Sequence, residues 1–106
     1  MRVRVVLAVM ALAITQAGLK TRLYALDEYG GVTITTFTHS DIQLEYQGKL
    51  VHIDPWSVSD LSRAKPADLI LITDDVNHHL DPKAIARIRK PGARIVIAAN
   101  GQKQVP

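Results

Sequence analysis

Asp68-Leu69-Ile70-Leu71-Ile72-Thr73 is a nearly continuous apolar run. A strand with one wet face alternates apolar and polar side chains, so an unbroken run marks a central strand covered on both faces. The residues beyond it fit that setting. After a polar loop at 74–79, Asp81 is placed to cap a helix and Pro82 suits its first position. Leu80 and Ile85 stand where a hydrophobic staple joins the residue before the cap to the fourth helical residue. Ile85 and Ile88 face inward, and Lys83, Arg87 and Lys90 line the solvent side. Pro91-Gly92 stops the helix, and 94–99 forms another buried strand. Strand, helix and strand in this order predict an α/β layer.

Upstream the rhythm is that of strands. Val32-Thr33-Ile34-Thr35-Thr36-Phe37 is rich in β-branched residues. Ile42, Leu44 and Tyr46 alternate with Gln43, Glu45 and Gln47, which predicts a half-buried strand with the apolar trio inward. Gln47-Gly48 is a turn signal, and Leu50-Val51-His52-Ile53 returns as the second arm of a hairpin that Asp54-Pro55 ends. The glycine-bearing stretch 26–31 reads as a flexible lead-in, and 57–63 as a short helix or irregular turn.

The first 25 residues have a different character. Arg2 and Arg4 precede VVLAVMALAI at 5–14, and small residues follow at Thr15 and Ala17. Positive, apolar and small-residue regions in that order predict a signal peptide, 1–17, with a later cleavage position after Ala25. A spanning helix needs roughly 20 apolar residues, and Lys20 and Arg22 interrupt the run too soon. The remainder, 26–106, is expected to be one small domain, periplasmic or secreted, and free of the membrane after cleavage. Two of the charges behind the net +3 lie in the signal segment, so the basic balance predicts no nucleic-acid partner. The chain has no cysteine, which excludes disulfides, a thiol nucleophile and thiolate metal sites.

Four stretches together resemble the metallo-β-lactamase fold, and within it the lactonase-like, L-ascorbate-metabolism branch of zinc hydrolases. They are Thr36-Phe37-Thr38-His39-Ser40, the hairpin from Tyr46 through Ile53-Asp54-Pro55-Trp56, the strand from Ala67 to Thr73, and His79-Leu80-Asp81-Pro82. The resemblance spans about 32–99. It implies the N-terminal half of an αβ/βα sandwich that begins with an antiparallel hairpin and carries metal at the strand edges. The family's metal loop reads H-x-H-x-D-H. Here the same positions hold Asp74-Asp75-Val76-Asn77-His78-His79, and His79 alone matches by identity. Val76 has no donor, so the usual two-zinc site is not expected.

Asp74, Asp75, His78 and His79 remain as donors for zinc, since carboxylate with imidazole is a legitimate set for divalent metals. If the loop is a helical turn, Asp74 shares a face with His78 and Asp75 with His79. The other reading of all four is a solvated loop. His39 either supports the site or its substrate, or is a turn histidine bonded to a carbonyl. Asp54 resembles the family's structural aspartate, which orients a metal ligand from behind, or else caps an Asp-Pro turn. His52 is expected to be a cross-strand partner, Trp56 to wall a pocket or pack beneath the turn, and Asp81 to serve only as a cap.

Two functions are consistent with these residues. One is part of an exported metal-dependent hydrolase of the lactonase-like type acting on a small molecule. The other is a non-catalytic descendant whose old cleft binds a small molecule or a protein. A family member has a second half of similar size, so one sheet face is expected to need covering by a missing C-terminal half or by oligomerisation. Export makes its own prediction. N-terminal sequencing of protein from the native host should return Gly18, or Leu26 for the later cleavage, and an intact Met1 on cytosolic protein would refute it.

Overall fold

The computed structural model describes residues 26–105, so the segment read as a signal peptide lies outside the described residues. Six strands form one sheet in sequence order: β1 (Leu26–Tyr29), β2 (Val32–Thr36), β3 (Ile42–Tyr46), β4 (Lys49–Ile53), β5 (Ala67–Leu71) and β6 (Arg89–Val96). The first four make an antiparallel meander, and β4, β5 and β6 are parallel neighbours. Among the described residues one α-helix, α1 (Pro82–Ile88), crosses between β5 and β6, and 3-10 turns lie at Leu61–Arg63 and Ala99–Gln104. The expected α/β class holds.

The turns explain the meander. Gln47 and Gly48 both have positive φ, 48° and 74°, as a two-residue hairpin turn requires to match the strand twist. Gly30 and Gly31 do the same at 57° and 79°. The stretch read as a flexible lead-in is therefore a strand, β1, paired along its length with β2. Its polar sequence, Asp27 and Glu28, is tolerated because β1 is an edge strand with little to bury.

Helix α1 forms where its caps predict. The Asp81 side chain accepts hydrogen bonds from the Lys83 and Ala84 amides, and Pro82 begins the helix. Leu80, Ala84, Ile85 and Ile88 are buried with Leu50, Leu61, Ala67, Ile70 and Ile72 in the core between sheet and helix. The helix ends at Ile88, earlier than expected. Arg89 turns extended, and β6 runs through Pro91 and Gly92 rather than starting at 94. Proline is allowed there because β6 is the other edge of the sheet, where a missing N–H breaks no inner ladder.

The burial of the sheet reverses one expectation and narrows another. On β3 the side chain turned to the covered face is Gln43, 3% exposed, while Ile42 and Leu44 are half-buried and Tyr46 is 48% exposed. Alternation is legible in the sequence, but its direction is not. Gln43 tolerates burial because its Oε1 accepts the Lys65 amide at 2.8 Å. On β5 Ala67 and Ile70 are fully buried, while Leu69 and Leu71 remain half-buried on the face opposite Ile70. Among the described residues β5 is thus covered on one face, not two.

Asp81 does more than cap. Its Oδ2 also accepts the Ser57 amide at 2.8 Å, tying the turn after β4 to the helix start. Partial burial raises the Asp81 carboxyl's pKa, but the hydrogen bonds from Ser57, Ala84 and Lys83 outweigh it and hold the group below its usual 3.8. A depressed folded pKa means the stabilisation is fully present above the usual value and is lost as pH falls through the lower folded one. Asp81→Ala should cost about 1–2 kcal/mol in urea unfolding at neutral pH. That difference should shrink in acid below pH 3.8.

Candidate metal centre

The C-terminal ends of β4 and β5 lie side by side, and the loops leaving them carry the candidate residues. In parallel α/β sheets ligands bind beyond the carboxyl ends of the strands, because the loops there converge while the strands stay fixed. His39 arrives from the β2–β3 connection, Asp54 and Trp56 follow β4, and Thr73 to His79 follow β5.

Asp54 organises this end. It is 1% exposed and has φ +46°, a left-handed conformation that aspartate tolerates better than most residues. Its Oδ1 accepts the Thr73 amide at 2.8 Å, and its Oδ2 accepts the Thr73 hydroxyl at 2.5 Å. Oδ2 also lies 2.6 Å from His79 Nδ1. A carboxylate can only accept, so His79 Nδ1 carries the proton and donates. The His79 lone pair is therefore on Nε2 and directed away from Asp54.

Three histidines meet at this point. His39, His78 and His79 each offer a ring nitrogen, and these atoms lie within 4.8 Å of one another. Ring centroids are 4.6 Å apart for His39 and His78, 4.6 Å for His78 and His79, and 5.5 Å for His39 and His79. The Ser40 hydroxyl sits 3.2 Å from both His39 Nδ1 and His79 Nδ1. His39 holds a left-handed backbone, φ +62°, that swings its ring over the loop. Trp56 flanks the group in a T-shaped contact with His39, centroids 6.0 Å apart. Beside it an open cleft of about 490 Å³ is lined by Trp56, Ser57, Asn77, Leu80 and Lys83.

The loop carboxylates lie outside this group. The loop does make a helical turn, with the His79 and Leu80 amides donating to the Val76 carbonyl at 2.9 and 2.8 Å. That turn begins at Val76, after both aspartates, so Asp74 and Asp75 do not share its faces with His78 and His79. Asp74 Oδ1 accepts the Asp75 amide, and this bond, ahead of the other effects, holds the Asp74 carboxyl below its usual range. Asp75 Oδ2 accepts the Asn100 side-chain amide at 2.5 Å.

Asp41 carries no signal in the sequence. It is 1% exposed, its Oδ1 lies 2.5 Å from Nε2 of the fully buried His52, and its Oδ2 accepts the Trp56 amide at 3.1 Å. His52 is indeed a cross-strand neighbour of Gln43, and its ring also stacks on Phe37. Asp41 thereby ties the segment carrying His39 to the turn carrying Trp56. A lone aspartate opening a strand gives no sign of this role.

The chain matches no protein-family profile and no curated protein. Among solved structures it is similar to a protein from Parabacteroides distasonis ATCC 8503 that carries the provisional name metal-dependent hydrolase. The two are 33% identical with a TM-score of 0.71, over 77% of this chain and 40% of the other. The fold is hydrolase-like. The chain spans less than half the length of that neighbour.

The residues present fit one divalent ion. Three imidazoles with converging nitrogens make a set that suits zinc and related metals while leaving further coordination positions open. They do not fit the two-ion arrangement of the H-x-H-x-D-H loop, because Val76 supplies no donor and Asp74 and Asp75 lie outside the group. Asp54→Asn keeps the left-handed residue preference but removes the charge that fixes His79. It should lower zinc affinity about 10–100-fold, as loss of an orienting partner typically does, in a competition titration against a chromophoric chelator.

Proposed function

We propose that this chain is part of a metal-dependent hydrolase of the metallo-β-lactamase fold, in the lactonase-like branch, exported from the cytoplasm. The observation that carries the reading is the convergence of His39, His78 and His79, with His79 held in one tautomer by the buried Asp54. Hydrolysis needs an electrophile beside an accessible space. The cleft lined by Trp56, Asn77 and Lys83 shares with the histidine group the Trp56 ring, which touches His39, and is open enough for a small substrate. A divalent ion held by the three imidazoles would supply Lewis acidity toward a carbonyl or phosphoryl oxygen. The chain's own residues do the rest. Asp54 and Thr73 orient His79, Ser40 bridges the two flanking imidazoles, and Trp56 offers an apolar wall against which a substrate's carbon skeleton can lie. The export part of the reading rests on the order of charged, apolar and small residues at the start. No helix among the described residues is long and apolar enough to cross a membrane.

A second reading is a binding module without catalysis, favoured by Val76. It occupies a position that holds a ligand in the family motif, and it is 43% exposed with no donor to offer. Metal content separates the two. Zinc titrated into the protein as its host makes it should bind in the micromolar range or tighter by calorimetry. His78→Ala with His79→Ala should abolish binding, and His39→Ala should weaken it at least about tenfold, with the circular dichroism spectrum unchanged. Asp74→Ala should leave the affinity within about threefold, since its carboxylate lies outside the group. Hydrolysis of a model lactone by the loaded protein should fall with the same histidine variants. Absence of zinc, manganese or iron binding at micromolar concentration sinks the hydrolase reading and leaves the binding module.

A further inference from the structure

His39 is the least supported member of the histidine group. Asp54 fixes the His79 ring, whereas the His39 ring hydrogen-bonds only with Ser40 beside it, among the described residues. Its place therefore depends on the loop that carries it. That loop closes on itself, with the Phe37 amide donating to the Asp41 carbonyl at 2.9 Å and the Asp41 amide to the Thr38 carbonyl at 3.3 Å. His39 stands at the tip with φ +62°. A left-handed histidine is strained, and such strain persists only where the surroundings over-determine it.

What holds the loop is one buried imidazole. His52, 0% exposed on β4, meets both feet of the loop. Its ring stacks on Phe37, centroids 5.6 Å apart, and its Nε2 lies 2.5 Å from Asp41 Oδ1. A carboxylate only accepts, so Nε2 carries the proton and donates. Asp41 Oδ2 accepts the Trp56 amide, so the same carboxylate also sets the residue whose ring touches His39. Packing does not account for His52. Its Nδ1 is buried with no hydrogen-bond partner among the described residues, and an unpaired buried nitrogen costs stability that an aliphatic side chain would not. We infer that Asp41 and His52 are positioning residues for the metal centre, holding His39 beside the other two histidines and Trp56 at the cleft. The inference rests on the metal-dependent reading above. It divides the centre into two arms, one held by Asp54 and one by Asp41, that a variant can separate.

The test uses the protein as its host makes it, with Asp41→Asn, His52→Leu and His52→Gln. Asparagine keeps the shape of Asp41 but can accept from only one of its two donors. Leucine removes the His52 donor, and glutamine returns an N–H close to the Nε2 position. In zinc-free protein, nuclear Overhauser cross-peaks between the rings of His39 and His78, centroids 4.6 Å apart, report the loop directly. They should be lost in Asp41→Asn and His52→Leu and kept in His52→Gln. Zinc affinity should fall at least about tenfold in the first two, as for His39→Ala, and return to within about threefold of wild type in His52→Gln. Added to His39→Ala, Asp41→Asn should cause no more than about a threefold further loss, because both changes remove the same ligand. Cross-peaks that survive Asp41→Asn and His52→Leu, or that the wild type lacks, overturn the inference. So does a loss that adds fully to that of His39→Ala, or a glutamine that restores nothing. Unfolding of both Asp41→Asn and His52→Leu by circular dichroism overturns it too, since the pair would then support the sheet. A wild type that binds no zinc defeats the hydrolase reading alone, and the cross-peaks still decide the inference.

Discussion

The carboxylate of Asp54 is the constraint on which the functional end of this molecule depends. It ends β4, grips the amide and hydroxyl of Thr73 at the end of β5, and fixes His79 in the loop beyond. A buried carboxylate is costly unless its oxygens are satisfied, and here both are, by three donors. The same group thus keeps two parallel strand ends in register and chooses which nitrogen of His79 is free. Asp41 and Asp81 repeat the device on either side, joining His52 to Trp56 and Ser57 to the helix start. Loops that would otherwise fray are held by three buried or nearly buried acids, and the histidines inherit that rigidity.

Local chemistry is legible in the sequence wherever neighbours in the chain determine it. Asp81-Pro82 announces a helix start, and Gln47-Gly48 announces a hairpin. Asp27 and Glu28 look like a lead-in because an edge strand has no apolar signature, and only the Gly30-Gly31 turn ties it to the sheet. The direction of burial on β3 is hidden for a related reason. Alternation says that two faces differ, and tertiary contacts say which one is covered. The backbone of Lys65, twenty-two residues away from Gln43, settles that point.

The candidate site shows the same division. The loop at 74–79 offers four donors by their chemistry, but their geometry depends on where the turn begins. Val76 accepts the turn's hydrogen bonds, so the two aspartates fall before it and the two histidines within it. His39 joins them from about forty residues upstream because a left-handed residue redirects the chain. The order of motifs that resembles a known family points to His39 and Asp54. No pattern in the sequence marks Asp41, whose role comes from burial and from two long-range bonds.

Pro91 and Gly92 have the signature of a helix stop, and they sit instead on the outer strand of the sheet. Their placement governs how the protein can fail. An open strand edge invites another chain to add a strand, and then another, which is the route to fibres. Proline removes a donor from that edge, and Arg89, Lys90 and Arg94 crowd positive charge along the same strand. Strand addition is therefore discouraged along that edge of the described sheet.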